Sequence, residues 1–411
     1  MNKKDVKVKT DSYKGVRDFY PKEWRFQKWL FWQMAEVCER FGYENYAASP
    51  LEYTELFEAK SGKEIIENET YNLVDRGNRN VTLRPEMTPT IARMIAAKGV
   101  EIPRPIRWYS IPNLFRYERP QKGRLREHYQ LNVDIFGIVG IEAEIEVIEV
   151  GVEIMKNLGA EENDFEIRVN NRKIMNALFT RFTTDEDAVY ELSKLIDKKK
   201  KISTDNFTTA VEKILGEKAS EFISVIEKFS LENCITFANA EDIEKTKKLL
   251  NTLRAKGMKN VIFDLTLMRG FDYYTEIVFE FFDTDPKNNR SMFGGGRYDD
   301  LLDIFGKEKV PAVGFGMGDV TAKNFVESRN PKMLEQVSKT DVFIAVESEG
   351  LIENADGIAK KMREDGKNVE VDYSFRKIDR QIHSAERKGI KKVIVVEQRG
   401  VREVDLVALN N

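Results

Sequence analysis

Apolar and polar positions follow two different periods along this chain, and the changes of period outline its parts. Between residues 21 and 42, Trp24, Phe31, Met34, Cys38 and Phe41 recur at helical spacing. Pro21 suits a first turn and Gly42 a stop, so a helix is predicted with these side chains in the core. From 104 to 136 the pattern switches to alternation. RWYSIPNLFRYE leads into the polar loop ERPQKGR, and LREHYQLNVDIFG returns. On the returning strand Tyr129, Leu131, Val133 and Ile135 share one face, because successive strand side chains point to opposite sides. His128, Gln130, Asn132 and Asp134 share the other. The first face reads as core and the second as a row of hydrogen-bonding groups. Residues 141–158 return to helical spacing, with Ile141, Ile145, Ile148, Val152, Met155 and Leu158 on one stripe. Glu142, Glu146, Glu149 and Glu153 fall elsewhere and read as a solvated face.

From about 171 to 257 the sequence is lysine-rich, low in glycine and helical in pattern. It reads as a module inserted in a β-rich body. Its run Lys198–Lys201 reads first as a solvated helix end, with contact to an RNA backbone as the alternative. Strand-like sequence resumes at 261–283, 292–302 and 310–319, where glycines mark turns and close backbone approaches. A linker at 327–338 precedes strands alternating with helices, the pattern of a small α/β domain.

Composition narrows the function classes. Lys plus Arg is 66 and Asp plus Glu is 69, giving a net charge of −3. Bulk positive charge therefore does not hold this protein to nucleic acid, and any such contact relies on local patches. The balance of 41% hydrophobic and 33% charged residues is that of a globular chain rather than a disordered one. At 411 residues it should divide into two or three domains. No run approaches the ~18 apolar residues of a membrane span, so no membrane partner is expected. MNKKDVKVKT has no apolar stretch behind its lysines and does not read as a signal peptide. A cytoplasmic protein is expected. With two cysteines and two histidines, a disulfide scaffold, a cysteine zinc site and a His-pair metal site are disfavoured, and no metal ligand is expected from the protein.

The hairpin 107–136 carries the candidate chemistry. Arg116 and Glu118 end one strand on the same face, and the loop adds Arg119, Lys122, Arg124 and Arg126. Guanidinium forks match phosphate oxygens in pairs, so this cluster suits polyphosphate. Glu118 can accept from an exocyclic amine such as adenine's. From His128 to Asp134 the strand spans about 20 Å at ~3.3 Å per residue, comparable to an extended aminoacyl-adenylate. The alternative is the wet face of an ordinary antiparallel sheet. Elsewhere, Glu86 and Thr88 in LRPEMT suit an α-ammonium. In MRGFDYYT, Arg269 suits a carboxylate or phosphoryl charge, and Tyr273 and Tyr274 offer hydroxyls and flat faces. None of these pieces contains an activated nucleophile, which argues against covalent catalysis by the protein. GFGMGD and GGGR match neither a Walker loop nor a dinucleotide fingerprint.

The stretches KGVRDFYP (14–21), TLRPEMTPTIAR (82–93), FRYERPQKGRLREHYQ (115–130), LMRGFDYYTEIVFE (267–280) and GGGRYDDL (294–301), with the α/β tail, resemble the histidyl-tRNA synthetase family of class II aminoacyl-tRNA synthetases. The resemblance implies an α+β fold, a class II synthetase-like antiparallel sheet flanked by helices. The catalytic domain would comprise 1–170 and 258–326, interrupted by a helical insertion at 171–257. A C-terminal α/β anticodon-binding-like domain would occupy 338–411. It also implies a homodimer that uses ATP with Mg²⁺ to activate L-histidine and then charges tRNA(His).

By the family's pattern Glu86, Met87, Thr88, Gln130, Asp134, Tyr273 and Tyr274 would bind histidine. Glu86, Thr88 and Gln130 would hold its amino group, and Asp134 and Tyr274 its imidazole, with Tyr273 beside them. Arg116 and Arg269 would be catalytic. ATP would be held by Arg116, Glu118, Arg124 and His128. Two positions depart from the pattern. His128 stands where the family usually stacks a Phe on adenine, and an imidazole ordinarily titrates near neutral pH. Thr321, in GFGMGDVTAKNF, stands at the place of a third-motif Arg, leaving Lys323 or Asp319 to shape the nucleotide's far side. The C-terminal domain also reads as short, its last element trimmed. Two other readings compete: a non-catalytic relative resembling the regulatory subunit of ATP phosphoribosyltransferase, and a sensor module for uncharged tRNA. Retention of Arg116, Arg124, Arg269 and the C-terminal domain favours the ligase over the first. A length fully used by the core architecture disfavours the second.

Overall fold

The structure is a computed structural model that describes residues 9–59, 69–117, 123–199, 202–268, 273–288 and 291–406. Its contacts sort the chain into two units: residues up to Asp18 with Leu30–Pro331, and Phe19–Trp29 with the chain from Lys332 onward.

The first unit is built on a sheet of nine strands among the described residues. They are β1 (Glu44–Asn45), β2 (Ile106–Ser110), β3 (Asn113–Phe115), β4 (Glu127–Phe136), β5 (Phe165–Asn171), β6 (Val261–Phe263), β7 (Ile277–Asp283), β8 (Ser291–Arg297) and β9 (Ala312–Gly318). The order is β1-β2-β4-β9-β8-β7-β5-β6, with β3 also paired to β4. The six strands from β2 to β5 in that order pair antiparallel. Parallel pairing is confined to the two ends, β1 on β2 and β6 on β5. The expected antiparallel sheet is therefore present, with mixed edges.

Helix Glu142–Asn157 covers one face of this sheet, and its predicted stripe is buried. A Cβ on Gly151 would come within 2.9 Å of the Phe281 ring, so glycine permits the close helix–sheet approach. The acidic face is less uniform than the sequence suggests. Glu146 forms a fork with Arg107 at 2.7 and 2.8 Å. Glu144 is fully buried and bonds Arg297 of β8 at 2.7 and 2.6 Å. An apolar cluster of Met87, Ile91, Ile95, Ile106, Phe136, Tyr273 and Tyr298 joins the sheet to helix Thr88–Lys98.

Between β5 and β6 lie helices Arg172–Phe182, Glu186–Lys198, Thr204–Leu215, Ala219–Glu227 and Ala240–Ala255. Asn171, Asp185, Ser203 and Asn239 cap four of them by accepting backbone N–H bonds, which explains where these helices start. Phe179, Phe182, Leu192, Ile196, Phe207 and Phe222 share an apolar core there.

Helix Pro21–Arg40 forms where predicted; Met34 and Cys38 are buried as expected, and Phe26, Leu30 and Val37 complete the buried stripe. Trp24 and Phe31 stand at the flanks and are half-buried.

In the second unit a sheet runs in the order Val369–Asp372, Val342–Val346, Lys392–Glu397, Gly400–Asp405. The first three strands are parallel and the last turns back antiparallel. Alternation along Val342–Val346 sends Val342, Ile344 and Val346 to Ala355 and Ala359 of one helix. Phe343 and Ala345 meet Ala385 of another on the opposite face. After Val395, strand Gly400–Asp405 pairs back along Lys392–Glu397. No helix among the described residues is long and apolar enough to cross a membrane.

Candidate active site

The glycine-rich strand β9 lies beside the polar face of β4, with Gly314 opposite Asp134, Gly316 opposite Asn132 and Gly318 opposite Gln130. A Cβ at Gly314 would stand 2.5 Å from the Asp134 carboxylate, the Tyr298 hydroxyl and the Val133 carbonyl. One at Gly316 would collide with the Gln130 amide. Glycine at alternate positions thus clears the volume into which these side chains lean.

Asp134 is 4% exposed and accepts a short bond from the Tyr298 hydroxyl. Burial pushes its carboxyl up to about 7, while the Tyr298 bond pulls in the opposite direction. Tyr298 follows β8 in the GGGRYDD segment, and its ring meets Tyr273 edge-on at 5.7 Å and Phe136 at 6.1 Å. The Tyr273 hydroxyl lies 3.2 Å from both the Glu86 carboxylate and the Thr88 hydroxyl. Its single proton serves one of them at a time. Glu86 is buried just before helix Thr88–Lys98, where the helix's positive end favours a carboxylate. Tyr274 is half-buried, its ring 5.0 Å from that of Tyr273, and burial raises both phenols' pKa values. Met87 goes into the apolar cluster beneath the site. The Gln130 amide donates to Asn132 at 2.7 Å.

These groups form a site with two different ends. One end carries a carboxylate with two hydroxyls, an acceptor set for the N–H groups of an ammonium. The other carries a carboxylate held by a phenol, suited to an N–H of a flat ring.

Toward the start of β4 the chemistry becomes cationic. Arg116 donates to the Pro85 carbonyl at 2.9 Å. The His128 imidazole is pushed down to about 3, by burial first and then by the charges of Arg116 and Arg17. It therefore does not titrate near neutral pH, contrary to the sequence expectation. Arg124 is exposed. Glu118, Arg119, Lys122 and Arg269 lie outside the described residues. Thr321 turns its hydroxyl to the carbonyls of Met292 (2.7 Å) and Gly318 (3.0 Å), a backbone-capping role. Asp319 is buried; it accepts from Arg17 at 2.8 Å and from the Tyr129 N–H at 3.0 Å.

Sequence reasoning missed Tyr298 and Arg17. Both sit in quoted motifs, but spacing gives no sign that Tyr298 reaches across β8 and β9 to Asp134. Its neighbour Arg297 is structural, fully buried against Glu144 and the carbonyls of Ile138 and Gly140. Arg84 is likewise buried, bonding the carbonyls of Ala48 and Asn113 at 2.8 and 3.1 Å.

The chain matches the family model described as histidyl-tRNA synthetase over residues 15–319, and that of an anticodon binding domain over 341–411. It is 40% identical to a histidine–tRNA ligase of Leptospira biflexa, over 98% of this chain and 92% of that one. It is 37% identical to a histidine–tRNA ligase of Haloarcula marismortui, over 97% and 93% of the two chains. A solved ATP phosphoribosyltransferase regulatory subunit/histidyl-tRNA synthetase from Bacillus halodurans C superposes with a TM-score of 0.78, covering 94% of this chain and 98% of that one. At 24% identity this last likeness concerns the fold.

Proposed function

The chain belongs to the histidyl-tRNA synthetase family, and from that premise we propose that it joins L-histidine to ATP as histidyl-adenylate and passes the histidyl group to tRNA(His). The observation that carries this reading is the two-ended site: Glu86, Thr88 and Tyr273 gathered at one end, Asp134 and Tyr298 paired at the other.

In the first step a histidine carboxylate oxygen attacks the α-phosphorus and pyrophosphate leaves. The attacking group is already an anion, so no protein base is needed. Alignment and countercharge do the work. Glu86, Met87, Thr88, Gln130 and Tyr273 hold the backbone end of histidine, and Asp134, with Tyr274, its ring. Arg116 and Arg269 meet the charge developing on the α-phosphoryl group. Glu118 accepts from the adenine amine, His128 stacks on the base, and Arg124 meets the outer phosphates. Mg²⁺ would arrive with ATP as part of the substrate and supply countercharge to its phosphates. In the second step a hydroxyl of the tRNA's terminal ribose attacks the histidyl carbonyl and AMP departs. Analogues without ring nitrogens leave the remaining acceptor capacity of the buried Asp134 carboxylate unmet, which gives discrimination without editing.

The division of labour follows the sequence reading: catalysis by 1–170 and 258–326, an insertion at 171–257, and anticodon binding by 338–411. The working form is a cytoplasmic homodimer.

The test is histidine-dependent exchange of labelled pyrophosphate into ATP. Exchange is expected with histidine and with no other amino acid. Its absence in folded protein with Mg²⁺ would support the non-catalytic regulatory alternative instead.

A further inference from the structure

The motif KGVRDFYP has no part in the roles assigned above, yet its first residues are stitched onto the nucleotide end of β4. The Gly15 carbonyl accepts the Arg126 N–H at 2.8 Å and the Glu127 N–H at 3.3 Å. Gly15 has φ +89°, and a Cβ there would stand 2.8 Å from the Arg126 side chain, so glycine is required by both conformation and space. Arg126 in turn lies over the Tyr117 ring at 4.0 Å and bonds the Tyr13 hydroxyl at 3.1 Å. These contacts fix the direction in which the chain leaves Gly15.

Two residues later Arg17 meets Asp319, the first residue of helix Asp319–Arg329, at 2.8 Å. The pair is asymmetric. The Asp319 side chain is 2% exposed and the Arg17 side chain 22%, so the carboxylate is sealed while the arginine side chain is partly exposed. Asp319 also holds the backbone N–H of Tyr129, the residue after His128. One carboxylate therefore fixes both the arginine and the strand position that bears the imidazole. His128 feels the charges of Arg116 and Arg17 together. Thr321 uses its hydroxyl on backbone carbonyls and offers no charge.

We infer that Arg17 contacts the nucleotide during activation, a cation delivered by the N-terminal segment and oriented by Asp319. A guanidinium held by a buried carboxylate loses little entropy on meeting an anion, and its positive charge and planar geometry suit phosphate oxygens. Asp319 is a positioning residue: it acts on the nucleotide through Arg17. This assignment rests on the activation reaction proposed above.

The experiment compares KM for ATP and for histidine in pyrophosphate exchange, using the full chain and its Arg17→Ala, Arg17→Gln, Arg17→Lys and Asp319→Asn variants, with melting temperatures alongside. Arg17→Ala should raise the ATP KM about tenfold and leave the histidine KM within about twofold. Arg17→Lys should recover most of the loss, and Asp319→Asn should shift the ATP KM in the same direction. An unchanged ATP KM in folded Arg17→Ala overturns the inference. So does an equal rise in both KM values, which is the signature of a merely structural role. If Arg17→Ala does not fold, Arg17→Lys and Arg17→Gln decide, and equal ATP KM values for that pair overturn it. Failure of the wild-type chain to exchange at all is a separate outcome, removing the reaction and this inference with it.

Discussion

Gly314 stands directly opposite Asp134 across the β4–β9 ladder, and its missing side chain is what lets the Asp134 carboxylate meet the Tyr298 hydroxyl. A methyl group there would lie 2.5 Å from both partners and from the Val133 carbonyl. The backbone carbonyl cannot swing aside as a flexible side chain would. Gly314→Ala should cost roughly 1–3 kcal/mol of stability through overpacking. It should also weaken histidine binding more than ATP binding. Denaturant unfolding and calorimetry with each ligand would check this; equal affinity losses would break the link between Gly314 and the ring-binding end.

Asp134 gives a pH-dependent prediction. Its folded carboxyl is raised to about 7 by burial, above the ordinary value of 3.8. The folded state therefore holds this proton more tightly than the unfolded chain does. The resulting stability is complete below about 4 and is lost as pH rises through about 7. Asp134→Asn should flatten that decline, so the variant should gain in melting temperature relative to wild type on going from pH 5 to pH 8 without histidine. Its histidine affinity should fall far more than its ATP affinity.

His128 works in the opposite sense. Its folded pKa is depressed to about 3, so the imidazole is neutral throughout the physiological range. Its contribution to stability is fully present above the ordinary histidine pKa of about 6.5 and is lost as pH falls toward 3. His128→Phe should therefore resist acid better than wild type between pH 7 and 4. No inflection near pH 6.5 in the ATP KM should trace to this residue, and one that vanished in the Phe variant would contradict its neutrality.

Arg297 and Glu144 are both fully buried and joined by two bonds at 2.6 and 2.7 Å. Arg297→Met would leave the Glu144 carboxylate buried without its countercharge, at a cost of about 3–5 kcal/mol. Replacing Glu144 by Leu in the same chain should recover much of that loss. Chemical denaturation of the single and double variants would measure it.

Arg269 was assigned to the charge formed at phosphorus. Arg269→Ala should reduce pyrophosphate exchange by about 10²–10³-fold, the scale for removing one electrostatic stabiliser. Circular dichroism and melting temperature should be unchanged. Near-normal exchange would take Arg269 out of that role.

The fold was largely legible because its signals are periodic and local. Alternation along 127–136 and the stripe of helix Glu142–Asn157 each act within a few positions of themselves. The stripe of helix Pro21–Arg40 was read in part: Met34 and Cys38 are buried as expected, whereas Trp24 and Phe31 are half-buried and Leu30 and Val37 lie deeper. The candidate site was legible in fragments. Glu86 and Thr88 were paired by spacing, and Tyr273 joins them from a segment 185 residues away.

The sequence by itself determined which strand faces carry polar groups, where cations cluster, and that alternate glycines run through 314–318. These follow from backbone periods and side-chain chemistry, which need no knowledge of neighbours. Only the tertiary structure decided that those glycines make room for Asp134 and Gln130, that Tyr298 rather than Arg297 enters the site, and that Asp319 captures Arg17 from 302 residues away. Such meetings depend on strand order and register, and burial then sets the charge state of the groups that meet.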